Sequence, residues 1–534
     1  MIGRRWLVVL LGVGCLVVIG TAGSLPRSAG SLPRSTRLRP QAAPGPLRPG
    51  RLTRLDPGRR RLPAPGHGGP SVNVTIARDA RSMPLAASFL GFSTEYWGLP
   101  TDARHLGLFA RLVSLVRVPG DPRFVLRIGG NSSDHSFWEP GQRRWPRWMF
   151  PLTPRWIRAA ADVTRASHLR VIFDLNLVTG TPRLAGAWAR RTLAAMPHGS
   201  VIGFEIGNEP DIYDRAFWLD HIGDAVTRLL PETITPASYA QAYARYAASV
   251  SRPAPRVPLL APALALPNHD RAWVAALLAS APAHLGTVSV HDYPFTACAS
   301  PADAMYPSVS RLLGQRATAG MAAAVRPAVR LAAAHAFRVR VTEFNSVTCG
   351  GVDGVSDSFA TALWAPDALL SLARAGVSAA DLHVRAYSVN SPFRFHRGRV
   401  SFRPLFYGLV MFARLLGRHA RLVHVKVSPR ERRRLAVWAV MSGSRTLRVL
   451  LVNKSKASLR VTLRLPARET ARVQRLLAPS LASSGHVTLA GERLNGHARW
   501  VGHRVVQLIR GHGGRYATAV RRFSATLLST RSAD

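Results

Sequence analysis

Short apolar runs that read as strands alternate with helical stretches rich in Ala, Leu and Arg from residue 89 onward. The strand-like runs are 89–97, 124–130, 170–178, 201–211, 257–266, 287–295, 338–347 and 381–387. Helical segments fall between them, as at 154–167, 182–195, 236–250, 271–281 and 358–375, and a last one at 404–416 closes the series. Such alternation calls for a parallel sheet, because each helix carries the chain back to start the next strand in the same direction. Eight units call for a closed (β/α)8 barrel of the α/β class. A doubly wound open sheet is the alternative, but it usually needs fewer strands. No Gly-rich dinucleotide fingerprint follows the first strand, and no GxxxxGK[ST] phosphate loop occurs.

After Gly417 the pattern changes. Runs at 423–427, 434–441, 446–453, 458–465, 471–477, 486–489 and 505–509 are short and β-branched, with turn residues between them. They predict an antiparallel β-sandwich accessory domain. A strand at 71–77 precedes the barrel and can complete that sandwich, so the two ends of the folded region would meet there. The layout expected is a strand joining the sandwich within 71–88, the catalytic barrel at 89–417, the sandwich at 418–515 and a patternless tail at 516–534.

The N-terminus reads as an export signal. Arg4 and Arg5 precede an uncharged apolar run from Trp6 to Gly20, and Thr21, Ala22 and Gly23 suit cleavage before Ser24. A signal peptide over 1–23 is the first reading and an uncleaved signal anchor the second. Residues 24–70 are rich in Pro, Arg and Gly and repeat the motif Ser-Leu-Pro-Arg-Ser, which reads as a disordered stalk. The expected location is secreted or held at the cell envelope.

The chain carries 72 Lys and Arg against 28 Asp and Glu, a formal charge of +44, and only three of the basic residues are Lys. Such a field favours polyanions. An Arg bias beside Ala, Gly and Pro richness is equally what a GC-rich coding sequence yields. The 47% hydrophobic content is enough to bury a large core and excludes wholesale disorder. No helix-turn-helix, zinc finger or aromatic RNA-binding motif is present, so no nucleic-acid partner is expected.

Barrel active sites sit at the C-terminal ends of the strands. Strand four ends Phe204-Glu205-Ile206-Gly207-Asn208-Glu209-Pro210, and strand seven ends Val341-Thr342-Glu343-Phe344-Asn345. Each places an acid at the barrel mouth. Two facing carboxyls suit glycosidic cleavage, one protonating the leaving oxygen while the other attacks the anomeric carbon or activates water. Glu209 is assigned as acid/base and Glu343 as nucleophile. Glu205 lies deeper in the strand and reads as structural, with Arg127 as its partner.

These residues look like the signature of the large retaining clan of (β/α)8 glycosidases. The segments from Leu126 to Asp134, from Phe204 to Asp211 and from Val341 to Gly351, with the stretch from Arg403 to Leu409, resemble glycoside hydrolase family 79. Those are the β-glucuronidases related to heparanase, and the accessory sandwich is part of that family's architecture. The resemblance implies that Asn208 bonds the sugar 2-hydroxyl and that Tyr293 orients the nucleophile. It also implies that backbone N–H groups around Gly350 and Gly351 cup the sugar carboxylate, with Thr348 as a hydroxyl donor. Glu95 and Tyr96 top strand one as hydroxyl ligands. Tyr387 ends strand eight as another candidate, and His291 is a subsite ligand or a structural His.

Cys298 and Cys349 follow strands six and seven, whose loops are neighbours. A disulfide between them is the sharper reading, and two free thiols the plainer one. No cofactor is called for, and the His residues lack metal-ligand spacing. The function expected is retaining hydrolysis of β-glucuronides in glucuronate-containing glycans. Endo action, another β-glycosidase activity of the clan, and a non-enzymatic polyanion binder are the competing readings.

Overall fold

The computed structural model describes residues 69–531, apart from 78–79, 122, 139–140, 142–143, 213–232, 267–268, 386, 444 and 468–469. The signal segment and nearly all of the stalk lie outside the described residues. Among those described, no helix is long and apolar enough to cross a membrane.

The eight expected runs form a closed parallel barrel. Its strands are β1 (Leu90–Glu95), β2 (Phe124–Gly129), β3 (Leu169–Leu175), β4 (Val201–Ile206), β5 (Leu259–Leu264), β6 (Leu285–Asp292), β7 (Arg338–Phe344) and β8 (Ala379–His383). The ring closes where β8 pairs with β1, Ala380 opposite Leu90 and His383 opposite Ser93. Every residue of β1, β2, β5 and β8 is buried, as strands covered on both faces require.

Three barrel helices open on Thr-Pro. In Pro154–Ser167, Pro182–Ala195 and Pro236–Ser251 the preceding Thr accepts a hydrogen bond from the third helical N–H, while Pro fixes the first turn. These starts lie on the side where the barrel strands end. Helix Phe359–Arg374 is buried along nearly its whole length. Trp438, on a strand of the accessory domain, donates to its Asp367 at 2.8 Å. One apolar cluster therefore runs from the barrel helices into the accessory sheet through Trp438, Val440, Leu450 and Leu527.

Two main sheets build the accessory domain. The larger contains Leu435–Ser442, Thr446–Asn453, Ser524–Arg531 and Ala471–Leu477 side by side. The smaller joins Ser71–Thr75, Leu459–Arg464 and Arg515–Val520. Val72, Val74, Val461 and Leu463 from the smaller sheet share a cluster with Leu447, Val449 and Leu528 from the larger. The strand ahead of the barrel does join this domain, but it pairs parallel with Leu459–Arg464.

The expected tail at 516–534 is corrected for its described part. Arg515–Val520 and Ser524–Arg531 are strands, and the second is interior to the larger sheet. Leu527 packs toward the barrel and Leu528 into the second cluster. A strand buried on both faces lacks the polar alternation by which a half-exposed strand is recognised.

Candidate active site

A fully buried Arg127 on β2 is the hub of the barrel mouth. Its Nε donates to Glu205 Oε2 at 2.7 Å, Nη1 to Glu343 Oε2 at 2.8 Å, and Nη2 to Asp174 Oδ2 at 3.0 Å and Asn208 Oδ1 at 2.9 Å. One guanidinium thus faces three carboxyls. A single positive charge cannot neutralise all three in so dry a place. Burial, helped by the Glu205 charge, pushes Asp174 well above the usual carboxylate range even beside Arg127. Gly129 and Gly130 leave room for this cluster. A Cβ on Gly129 would meet Asp174 Cβ at 2.6 Å, and Gly130, at φ +76°, would set one 2.8 Å from the Glu95 carboxylate.

Glu343 is the penultimate residue of β7. Its Oε1 accepts from the Tyr293 hydroxyl at 2.7 Å, and His383 Nδ1 lies 2.8 Å from Oε2. Burial works against its charge. The charges of His383, His291 and Arg127 outweigh burial and hold the carboxyl well below the ordinary Glu range. Tyr293 moves the other way. Burial and the Glu343 charge push its hydroxyl far up, so it remains a donor throughout the physiological range.

Glu209 lies three residues beyond the end of β4, at φ +47°. Left-handed backbone at a non-glycine residue costs about 1–3 kcal/mol and is held in place by its surroundings. Here the Glu209 N–H donates to the Ala263 carbonyl at 2.9 Å. Its Oε1 is 2.8 Å from His291 Nδ1. Burial lowers the affinity of His291 for a proton, but the Glu343 charge and the Glu209 bond raise it more, so the ring ends above its ordinary value. One oxygen of Glu209, one nitrogen of His291 and one oxygen of Glu343 all lie within 4.8 Å of each other. The same three groups are spaced as metal ligands could be.

The remaining expected residues divide. Asn208 is fixed by Arg127, with Nδ2 3.5 Å from Asn131 Oδ1. Glu95 ends β1, accepts from the Ser132 N–H at 2.9 Å and lies 3.8 Å from Arg385 Nε. Thr348 and Gly350 sit in the loop after β7, and that loop is tied to the one after β6. Thr348 N–H donates to Phe295 O at 3.0 Å, and Cys298 and Cys349 are joined by a disulfide. Gly351, at φ +90°, packs where a Cβ would lie 2.6 Å from Ser356 Oγ. Glu205 is the buried partner of Arg127 that its depth in the strand implied.

Two expectations change. Strand β8 stops at His383, so Tyr387 does not end it, and its side chain is 81% exposed. Tyr96 is fully buried, donates to the Asp174 carbonyl at 2.7 Å and packs against Trp156 and Trp188. Its hydroxyl is spent on the scaffold. Sequence reasoning also passed over His383 and the reach of Arg127 to Glu343. Their signal was a charged or polar residue interrupting an apolar strand, as in Val125-Leu126-Arg127-Ile128 and Asp381-Leu382-His383-Val384.

No protein-family model and no curated protein sequence matches the chain. Solved structures do share its fold. A 4-O-α-L-rhamnosyl-β-D-glucuronidase from Fusarium oxysporum 12S, solved with Rha-GlcA, aligns at TM-score 0.69 and 16% identity, over 86% of this chain and 100% of that one. The family 51 α-L-arabinofuranosidase from Thermotoga petrophila RKU-1 aligns at 0.62 and 16%, over 86% and 100%. The family 30 subfamily 8 xylanase Xyn30A from Clostridium acetobutylicum aligns at 0.52 and 13%, over 86% and 100%. These structural neighbours are glycoside hydrolases on a (β/α)8 barrel.

Proposed function

We propose that this chain is an exported retaining glycoside hydrolase that cleaves β-glucuronides. The observation that carries the glycosidase reading is the pair Glu209 and Glu343, whose nearest oxygens are within 4.8 Å. Retaining enzymes set their two carboxyls about 5–5.5 Å apart, and inverting ones farther to admit water. Glu343, held ionised, attacks the anomeric carbon while Glu209 gives its proton to the departing oxygen. The C–O bond breaks and a glycosyl ester forms on Glu343. Glu209, now a carboxylate, takes a proton from water, whose oxygen attacks the same carbon and releases Glu343. Tyr293 and Arg127 each hold one oxygen of Glu343, which fixes the rotamer for attack.

The uronate reading is supported by Arg385. It follows β8 by two residues, and its charge bears on both Glu95 and Tyr293 at the mouth. A cation there complements a sugar carboxylate. The neighbour that is a β-D-glucuronidase agrees with this reading.

The deciding experiment measures hydrolysis of aryl β-D-glucuronide, glucoside and galactoside by wild type, Glu209→Ala and Glu343→Ala. Glucuronide turnover should fall by several orders of magnitude in both variants. Equal rates in all three proteins would sink the assignment, and activity on neutral glycosides alone would remove its uronate part.

A further inference from the structure

At the opposite end of the barrel from Glu209 and Glu343, a groove of about 700 Å3 opens between the end of helix Pro404–Leu415 and the larger accessory sheet. Pro119, on the loop leading into β2, marks its barrel side. Five arginines line it, Arg414, Arg418, Arg448, Arg472 and Arg504, against one acid, Glu492. Among the described residues none of the five is in an ion pair. Arg414 donates instead to Gln474 Oε1 at 2.8 Å and lies 4.9 Å over the Trp500 ring. Arg448 donates to Ser442 Oγ at 2.7 Å. Burial presses both guanidinia below their usual proton affinity. Cations that hydrogen-bond neutral groups and outnumber the one acid beside them leave an electrostatic demand unmet.

The sheet arranges that demand. Arg448 and Arg472 are both in register with Ser529, on the strands either side of it. Strand spacing puts their backbones about 10 Å apart on one face, with the Ser hydroxyl between them. A row of cation, hydroxyl and cation, extended by Gln474 and Ser442, suits a ligand whose carboxylates are spaced by hydroxyl-bearing units. Duplex DNA carries a charge about every 1.7 Å and asks for a denser, broader basic face.

We propose that this groove binds a stretch of acidic polysaccharide as an anchoring site separate from the catalytic mouth. The choice of polysaccharide rests on the uronate reading of the barrel. The groove would hold the polymer while other parts of it reach the opposite face.

The test uses the full chain, with polygalacturonate as probe and a 20-base-pair duplex as competitor. Wild type should bind polygalacturonate in a salt-sensitive way. Arg448→Gln/Arg472→Gln should weaken binding at least tenfold and leave aryl-glucuronide turnover unchanged. Arg472→Gln/Arg504→Gln, at exposed positions, repeats the test where folding is not at stake. Arg252→Gln/Arg256→Gln, an exposed pair elsewhere, should bind as wild type does. Equal weakening by that control pair, unchanged binding in the groove variants, or preferential capture of the duplex would each overturn the proposal. Binding lost in the groove variants of a protein that cleaves no glucuronide would uphold the groove and remove the barrel reading alone.

Discussion

Tyr293 donates its hydroxyl to Oε1 of Glu343 at 2.7 Å, while Arg127 holds Oε2 of the same carboxylate at 2.8 Å. The proposed nucleophile is thus gripped from both oxygens. Losing a hydrogen bond to a charged group costs about 1.5–3 kcal/mol. Tyr293→Phe should therefore lower kcat by roughly 10–100-fold with little change in folding. It should also move the acid limb of the pH–rate profile upward, since a donor to the ionised form has gone. A profile that keeps its acid limb while kcat falls would assign Tyr293 to packing.

Arg127 serves both fold and site. Removing a buried charge partner leaves unpaired carboxyls and costs about 3–5 kcal/mol. Arg127→Leu should therefore lose about 3–5 °C in Tm for a folded region of this size. Arg127→Lys keeps the charge but not the fork that reaches Glu205, Glu343, Asp174 and Asn208 together. It should fold, with catalysis down by more than tenfold. Full activity in the Lys variant would show that charge alone is needed.

The sequence made the barrel legible because buried parallel strands are unbroken apolar runs between Ala- and Leu-rich helices. Glu209 and Glu343 stood out by interrupting such runs at their ends. Arg127 was harder, because which of several acids it holds depends on how the ring closes. His383 was hidden by a strand expected to run on to Tyr387. The strand Ser524–Arg531 was missed because Leu527 and Leu528 face two different cores. Periodicity reports one buried face, and that strand has two.

Stability should rise toward mildly acid pH. Burial pushes Asp102 and Asp292 up to about 8 and Asp134 to about 7. In the fold these carboxyls keep protons that the unfolded chain releases above about pH 4, so stability falls from there to about pH 8. His291, raised in the fold, contributes fully below its ordinary value, and that contribution goes as pH rises through the raised one. Glu343, depressed, contributes above its ordinary value and loses this only as pH falls through the lower one. Thermal melts should show a Tm several degrees higher at pH 5 than at pH 8. The reverse order would contradict the burial argument.

The disulfide between Cys298 and Cys349 ties the loop after β6 to the loop that carries Thr348 and Gly350. Thiol labelling of unreduced, denatured protein should leave both residues unmodified. Closing a loop of this span stabilises a chain by about 4 kcal/mol in the chain-entropy account. Cys298→Ser/Cys349→Ser should lower Tm. If the loop cups the sugar as proposed, the variant should also raise KM for aryl glucuronide more than it lowers kcat. An unchanged KM would confine the cross-link to stability.

Arg385 separates the uronate reading from the broader glycosidase one. Its side chain is 41% exposed and its Nε lies 3.8 Å from Glu95 Oε1, too far for a firm ion pair in the free protein. The guanidinium is therefore available to a second carboxylate entering the mouth. A charge-assisted bond of that kind contributes about 1.5–3 kcal/mol. Arg385→Gln should raise KM for aryl glucuronide by roughly 10–100-fold, and the preference for glucuronide over glucoside should shrink by the same factor. Circular dichroism and Tm should stay near wild type. If glucuronide and glucoside suffer equally, Arg385 shapes the mouth without reading the carboxylate, and uronate recognition then falls to the loop from Thr348 to Gly351.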